Sequence, residues 1–522
     1  MAPSIKASEG LFDGDREHRV FTVRNAKSFY SRNLVKLKCY NVGADPLREL
    51  LMSKPNILII MSDEHAPMYS SVYGHPIVQT PHMGRLAAAG ATFDAAYCNS
   101  PLCMPSRMSF MTGRLAHKIG AWDNWTPMRS DQVTWAHRLR AVGYDVVLSG
   151  KQHFGGADQY HGFQEQLARD LHAERYHPIH TWDDGIVQAQ RPWHEVYEAG
   201  PGWTEELEVD DLVQERALAY LRDPARHDKP WALNVSFIAP HFPYIVPQRF
   251  WDLYPPDEMD LPVIPDGHLE NLHPMAQRIR RMFGFSQFPD DVVRRARAGY
   301  YALITYLDEK IGELLDALEA TGQRENTVII HLSDHGDMNG EHGMWRKSNF
   351  YEASARVPLQ IVWPGRVNGG RRLSEVVSLV DVTASICDIA GDECELPLDG
   401  DSLLPLLTNT GHNWKDEAFC EYLAHGSDRP MAMLRRGRYK LNFSWGDPVE
   451  LYDLEADPGE FHDLANEAAH QDLVAEMKAA LLADWDPAEL DRQVRASQRQ
   501  QRFIEEHFGT GWRKSTPPPN NK

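Results

Sequence analysis

Short apolar runs alternate with helical periods along the chain from about residue 55 to about residue 400. In Asn56-Ile-Leu-Ile-Ile-Met61 every residue after the asparagine is apolar, which is typical of a strand buried on both faces. Such runs separated by helical patterns indicate βαβ units, so the pattern predicts an α/β fold. The predicted strands are Ile57–Met61, Asp145–Leu148, Ala232–Ile238, Thr327–Leu332 and Leu359–Trp363, and the predicted helices are Gly84–Ala89, Asp131–Val142, Val209–Leu221, Val292–Thr321 and Leu379–Ala390.

The pattern changes after Pro397-Leu-Asp-Gly400. Arg438–Phe443 and Glu450–Asp453 predict antiparallel strands, and Leu464–Trp485 predicts a helix. We therefore expect a large α/β domain over residues 52–400 and a smaller α+β domain over residues 401–522, which ends in an extended tail at Arg513–Lys522.

Residues 1–51 show no sustained hydrophobic period. Met52-Ser-Lys-Pro55 stands directly before the first predicted strand. We expect residues 1–51 to be a leader that is either disordered or not part of the native protein, with the folded chain starting at Met52.

The charge balance limits the classes of partner. The 522 residues include 54 Lys and Arg against 74 Asp and Glu, a net charge of −20. A surface of this sign repels phosphate backbones, so we expect no general nucleic-acid binding. We find no apolar run of about 18 residues and no signal-peptide pattern at the N-terminus, so no membrane span is expected. The 6 cysteines form no disulfide framework and no CxxC pair, which favours a reducing, cytoplasmic location.

Polar residues follow four of the predicted strands. Ligands bind beyond the carboxyl ends of strands in open α/β sheets, so these residues are candidates for one site. Their carboxylates suit a hard divalent cation, Ca²⁺ or Mg²⁺, whereas Zn²⁺ prefers more His or Cys. Their Lys and His side chains suit a tetrahedral anion beside the metal. The four segments are Ser62-Asp-Glu-His65, Ser149-Gly-Lys-Gln-His153, Ala239-Pro-His241 and Ser333-Asp-His-Gly-Asp337.

A further motif, Cys103-Met104-Pro105-Ser106-Arg107, precedes a helix-compatible stretch. It places a sulfur atom at a helix N-terminus beside a guanidinium group. Both features lower the pKa of a thiol, and both favour a bound anion. We therefore predict a reactive Cys103 with a lowered pKa.

This motif, with Thr112-Gly-Arg114 after it, resembles the signature of the type I sulfatases of the alkaline phosphatase superfamily. The resemblance runs from about residue 55 to at least residue 465. It implies a large mixed, mostly parallel sheet sandwiched by helices, with a smaller C-terminal α+β domain. It also implies that Cys103 is converted to Cα-formylglycine by a formylglycine-generating enzyme, and that the hydrated aldehyde is the nucleophile. Met104 departs from the family, in which a small residue is usual at this position.

The resemblance implies roles for the residues at the strand ends. Glu64 stands where Asp or Gln is usual. One divalent metal, Ca²⁺ with Mg²⁺ and Mn²⁺ as alternatives, is implied. Arg107 would orient the hydrate, Lys151 and Lys347 would hold the sulfuryl oxygens, His241 would protonate the leaving alkoxide, and His153 would take the proton of the second hydroxyl. The implied metal set is Asp63, Glu64, Cys103, Asp334 and His335, and the implied catalytic set is Cys103, Arg107, Lys151, His153, His241 and Lys347.

Within this family the chain is most similar to the choline-sulfatase branch. Gly120–Asn124, Leu148–Phe154 and Leu451–Pro458 carry that similarity, together with the tail Ser497–Arg502. The similarity implies that Asn124 contacts the substrate. It also implies a homo-oligomer, a dimer or a tetramer, because C-terminal tails in this branch help to close a neighbouring subunit's site.

Alternatives remain for the reaction and for the alcohol. Phosphonate monoester hydrolases share the same core, and sulfate monoesters and phosphodiesters carry the same single negative charge. A non-catalytic protein with a sulfatase fold should have lost part of the motif set, and none of it is missing. A choline-like cation needs an aromatic cage with a carboxylate nearby, but aromatic residues in these regions also serve as core, and aryl or sugar sulfates stay open. The candidate aromatic residues are Trp122, Trp125, His180 and Trp182.

Overall fold

A mixed eight-stranded sheet organises the larger part of the computed structural model. The structure describes residues 54–174, 180–186, 194–285, 288–410 and 413–509. The predicted leader and the predicted extended tail at Arg513–Lys522 lie outside this range. The strands of the described residues are β1 (Asn56–Asp63), β2 (Ala91–Tyr97), β3 (Asp145–Gly150), β4 (Glu165–Ala168), β5 (Gly200–Pro201), β6 (Trp231–Pro240), β7 (Ile245–Val246), β8 (Thr327–Ser333), β9 (Leu359–Val362), β10 (Arg371–Ser378), β11 (Glu417–Tyr422), β12 (Met431–Arg436), β13 (Tyr439–Ser444) and β14 (Glu450–Asp453).

The strand order in the large sheet is β10-β2-β9-β8-β1-β6-β3-β4. Only β9 pairs antiparallel with its neighbours, so the sheet is mostly parallel, as predicted. The central strand β1 is buried along its whole length, with Ile57 opposite Ala232 of β6 and Val328 of β8. All five predicted strands are confirmed, whereas β2, β4 and β10 of this sheet were not predicted.

Helices cover the large sheet, and their ends follow local capping chemistry. Leu379–Ala390 is confirmed without change. The predicted start of the helix Asp131–Val142 is wrong, because the Thr134 side chain accepts a hydrogen bond from the His137 backbone N–H (3.3 Å) and the helix begins at Trp135. The helices of this part are Pro81–Ala89, Cys103–Thr112, Ala116–Ile119, Trp135–Ala141, Leu171–Glu174, His194–Tyr197, Glu205–Arg222, Gln248–Trp251, Pro274–Phe283, Asp290–Ala320, Glu352–Ala355, Leu379–Ala390 and Leu404–Leu407.

A second, antiparallel sheet with the order β11-β12-β13-β14 follows in the chain. The predicted helix Leu464–Trp485 is wrong at both ends, since the helix spans Gln471–Leu481. A further helix, Pro487–Phe508, was not predicted; Asp486 caps it by accepting hydrogen bonds from two backbone N–H groups, and proline occupies its first position. The domain boundary near residue 400 stays a prediction. Among the described residues, no helix is both long and apolar enough to cross a membrane.

Candidate active site

The four strands that end in polar residues lie side by side, in the order β8-β1-β6-β3, and run parallel. Their carboxyl ends therefore meet at one edge of the sheet. Asp63 ends β1, and Lys151, His241 and Asp334 directly follow β3, β6 and β8. The predicted juxtaposition of these segments is confirmed.

Cys103 begins the buried helix Cys103–Thr112 and faces this edge of the sheet. Its Sγ atom lies 3.2 Å from Nε2 of His335 and 3.9 Å from Oδ1 of Asp63. Asn124 is beside it, because its Oδ1 atom accepts a hydrogen bond from the Met104 backbone N–H (3.0 Å). The side-chain amide oxygen of Asn124 thus accepts a hydrogen bond from the first turn of the helix that begins at Cys103. The sequence did not predict this contact.

Arg107 is fully buried and joins the two carboxylates at the strand ends. Its Nε atom donates to Oδ2 of Asp334 (2.7 Å), and its Nη2 atom donates to Oδ2 of Asp63 (2.9 Å). Its Nη1 atom donates to the Lys151 carbonyl (2.8 Å) and to Oγ of Ser236 (2.9 Å). The planar guanidinium thus acts as a fork with one arm on each carboxylate. It fixes the spacing between β1, which ends at Asp63, and the loop after β8, which begins at Asp334.

The donor set at this edge fits a hard divalent cation. Ligand atoms of Asp63, Cys103, Asp334 and His335 all lie within 4.8 Å of one another. Oε1 of Glu64, which lies next to Asp63 in the chain, is buried without a hydrogen-bond partner among the described residues. This carboxylate oxygen is therefore available to a cation. Two of these four groups are carboxylates and Glu64 adds a third beside them, and carboxylate oxygens are the ligands that Ca²⁺ and Mg²⁺ prefer.

Glu64 turns towards the cationic side of the site. Its Oε2 atom lies 2.7 Å from Nζ of Lys347 and 3.1 Å from Nε2 of His241. Burial raises the pKa of Glu64 to about 7, and the Lys347 ammonium limits this rise. The metal-ligating role of Glu64 stays a prediction.

The predicted lowering of the Cys103 pKa is wrong. Burial raises the pKa of Cys103 to about 11, and the Asp63 carboxylate adds to that rise. The Lys151 and Lys347 ammonium groups act in the opposite direction but do not outweigh the burial. These surroundings therefore favour the protonated thiol, which is a weaker nucleophile than the thiolate.

The predicted sulfate-binding side chains surround the same space. Nζ of Lys151 lies 2.5 Å from Oδ2 of Asp63. Burial would raise the pKa of Asp63, but Lys151 and Arg107 outweigh it and hold this pKa well below its usual range. Burial and the Lys347 ammonium lower the pKa of His241 well below its usual value.

The comparisons with known proteins agree with this geometry. A family model described as Sulfatase matches residues 55–392, and one described as N-sulphoglucosamine sulphohydrolase, C-terminal, matches residues 340–485. The chain belongs to the sulfatase family. It is therefore a hydrolase of sulfate esters.

Individual relatives of this sulfatase match along most of their length. A choline-sulfatase of Rhizobium meliloti (strain 1021) is 37% identical over 475 residues, covering 88% of this chain and 92% of the relative. An arylsulfatase of Clostridium perfringens (strain 13 / Type A) is 28% identical, covering 84% of this chain and 95% of the relative. The solved structure of a phosphonate monoester hydrolase from Silicibacter pomeroyi has a TM-score of 0.68 at 25% identity, covering 82% of this chain and 95% of that chain.

Three buried residues at the sulfatase site were not assigned a role from the sequence. Oδ1 of Asp337 accepts hydrogen bonds from the backbone N–H groups of Asn339 (2.7 Å) and Arg346 (3.1 Å), and so holds the loop that carries Lys347. Asp337 ends the motif Asp334-His-Gly-Asp337, which could have indicated it. The other two, Asp170 and His172, follow β4 in a segment that carries no motif.

The four candidate aromatic residues divide into two pairs. Trp122 and Trp182 are buried in the core beneath the antiparallel sheet. The ring of Trp125 lies 6.0 Å from the ring of His180 and 5.4 Å from that of His425. Trp182 also lines a cavity with His180, so the role of these aromatic residues in binding the alcohol stays a prediction.

Proposed function

We propose that this sulfatase acts through Cα-formylglycine, formed from Cys103 by a formylglycine-generating enzyme. The observation that supports this most is the position of Sγ of Cys103, which lies against His335 and Asp63 inside the carboxylate group. A buried thiol with a raised pKa is a poor nucleophile, whereas a hydrated aldehyde in the same place offers two hydroxyl groups. One hydroxyl supplies the nucleophile for sulfur, and proton loss from the other expels sulfate as the aldehyde reforms.

We further propose one divalent cation, Ca²⁺ with Mg²⁺ and Mn²⁺ as alternatives, held by Asp63, Asp334 and His335 beside position 103, with Glu64 as an additional ligand. Such an ion supplies Lewis-acid charge stabilisation and favours the ionised hydroxyl. Three carboxylates, Asp63, Glu64 and Asp334, here face the three cations Arg107, Lys151 and Lys347. Each of these carboxylates thus has a cationic partner, and a bound divalent ion adds positive charge that suits a sulfate monoester.

Side chains of the site orient the reacting groups, stabilise charge and transfer protons. Arg107 orients the group at position 103, and Lys151 and Lys347 hold the sulfuryl oxygens through the transition state. His241, beside Lys347, protonates the leaving alkoxide. His153 takes the proton of the second hydroxyl.

For the alcohol we propose a choline-like or aryl group, and we propose Asn124 as a contact to it. The choline-sulfatase and arylsulfatase relatives support these two classes. Phosphonate monoester or phosphodiester hydrolysis on the same site is the second candidate, supported by the structural likeness to a phosphonate monoester hydrolase. A cytoplasmic location and a homo-oligomer, a dimer or a tetramer, remain part of the proposal.

Parallel kcat/KM values test the substrate proposal. Choline sulfate, an aryl sulfate, a sugar sulfate and a phosphonate monoester are compared on wild type and on Cys103→Ala. We expect sulfate esters to be the best substrates and Cys103→Ala to be inactive on all of them. A higher kcat/KM for the phosphonate monoester would favour the second candidate, and equal activity of the two proteins would leave only a non-catalytic role for the site.

A further inference from the structure

A third imidazole, that of His172, lies between the two proposed proton-transfer residues. Its ring centroid is 5.2 Å from that of His153 and 5.6 Å from that of His241. The side chain is buried, with 5% of its residue surface exposed. At these separations a bridging water can connect the ring nitrogens; in His241 the nitrogen for this is Nε2, since Nδ1 pairs with the Phe242 carbonyl (2.6 Å).

Asp170 ties His172 to the loop that carries His153. Its Oδ2 atom accepts hydrogen bonds from the backbone N–H groups of Gln152 (2.9 Å) and His153, and its Oδ1 atom accepts from the His172 N–H (2.9 Å). His153 has a φ of 58°, a left-handed conformation that a non-glycine residue adopts only when its surroundings hold it. One buried carboxylate therefore fixes the spacing of the two imidazoles.

The His172 ring is built to exchange protons rather than to hold a charge. Its Nδ1 atom is buried with no hydrogen-bond partner among the described residues. Burial lowers the pKa of His172 well below its usual value, and the charged groups facing it, Lys151, His153 and His241, add to the lowering more than Asp63 opposes it. A neutral imidazole has one donor nitrogen and one acceptor nitrogen, so it can take a proton on one side and release one on the other.

The proposed reaction leaves a proton on His153 after each turnover. In its acid role His241 is the imidazolium, which gives one proton to the leaving alkoxide, ends neutral and has to regain a proton before the next cycle. His153 takes one proton from the second hydroxyl, whose carbon–oxygen bond becomes the aldehyde carbonyl while the bond to sulfate breaks. The next cycle needs His153 free of that proton.

We propose that His172 is the residue that carries this proton from His153 back to His241, which gave its own proton to the leaving alkoxide. The step moves one proton onto one nitrogen of His172 and releases one from the other, with no change in other bonds. The proposal rests on the proposed formylglycine mechanism. It makes His172 a relay and positioning residue, with Asp170 as its support.

Pre-steady-state kinetics with a chromogenic aryl sulfate test the relay on the full-length, formylglycine-containing enzyme. His172→Phe keeps a buried ring without nitrogens, and His172→Gln keeps a polar side chain that cannot relay. We expect the first turnover to keep its wild-type rate in both variants, while the steady-state rate falls by about 10²-fold, the usual size of a lost proton transfer. In a third variant, His172→Ala, which vacates the space of the ring, added imidazole should raise the steady-state rate, and it should leave that of wild type unchanged.

His331→Gln is the matched control, because His331 is another buried histidine, in β8, whose Nδ1 atom pairs with Gln360 (3.1 Å). We expect this variant to show the wild-type ratio of first-turnover to steady-state rate. A wild-type steady-state rate in either His172 variant would overturn the relay. Equal loss of both rates without rescue by imidazole would reduce His172 to a structural residue. Wild type that contains formylglycine yet cleaves no sulfate ester would overturn the proposed function and the relay together.

Discussion

Replacing Arg107 by lysine keeps the positive charge but removes the fork that joins Asp63 to Asp334. The guanidinium makes four hydrogen bonds to oxygen atoms, of two carboxylates, one carbonyl and one hydroxyl, and a fifth, weaker one to the Met61 sulfur (3.6 Å). A lysine ammonium is a single point of charge and cannot bridge carboxylates on two different strands. At least two of the four hydrogen bonds are therefore lost, one of them to a carboxylate.

The size of the effect follows from this count. Hydrogen bonds to charged groups contribute about 1.5–3 kcal/mol each, so the loss of two costs about 3–6 kcal/mol. This is a large part of a typical unfolding free energy of about 5–15 kcal/mol. The carboxylate that loses its partner also becomes free to move, so divalent-ion affinity should fall as well.

Thermal unfolding with excess chelator and with Ca²⁺ measures both effects. We expect Arg107→Lys to lower Tm in chelator and to shrink the rise in Tm on adding Ca²⁺. Arg297→Lys is the control, since Arg297 is also buried but pairs with Asp260 and Glu341, neither of which is a proposed metal ligand; it should lower Tm and keep the Ca²⁺-induced rise. If Arg107→Lys matched wild type in Tm and in the response to Ca²⁺, the assigned role of the fork would be wrong.

Three further predictions concern the same site. Cys103→Ser should form a stable sulfate ester and release at most one alcohol per enzyme in a stoichiometric assay, because serine has no second hydroxyl to drive elimination; continued turnover would contradict the mechanism. Removing divalent ions with EDTA should abolish ester hydrolysis and lower Tm, with Ca²⁺ restoring both; activity that persists in EDTA would refute the metal. Gly155→Ala should lower stability by about 1–3 kcal/mol through overpacking, because its added Cβ would stand 2.8 Å from the Met104 terminal methyl and 3.1 Å from the Pro127 Cα. Met104→Ala should recover part of that loss in a double-mutant cycle, and additive changes in Tm would show that the two residues do not contact each other.

Strands with strong apolar runs could be predicted, and strands with mixed composition could not. The run Ile57–Met61 predicts β1 because both of its faces are covered. β10, Arg371–Ser378, carries exposed polar residues at the end of the sheet order, so its composition does not distinguish it from a loop. The helix Pro487–Phe508 was missed for a related reason, since Leu490 and Val494 are its only buried apolar residues and most of the others are polar or charged.

The residues of the site divide in the same way. Cys103 and Arg107 belong to one short motif, and Asp63 and Asp334 end apolar strands, so local patterns are enough to find them. His172 gains its position from Asp170 and from the register of the chain after β4, which no local pattern reports. The pKa of Cys103 was predicted in the wrong direction because helix position and Arg107 are visible in the sequence, whereas complete burial beside Asp63 is not.

The proposed formylglycine mechanism depends most on the chemical identity of residue 103. Peptide mass spectrometry of the protein from its native host, on the tryptic fragment that contains position 103, measures it directly. We expect the mass of an aldehyde side chain in place of the thiol, in protein that hydrolyses sulfate esters. An unmodified cysteine in fully active protein would contradict the formylglycine mechanism and assign the nucleophile to another group.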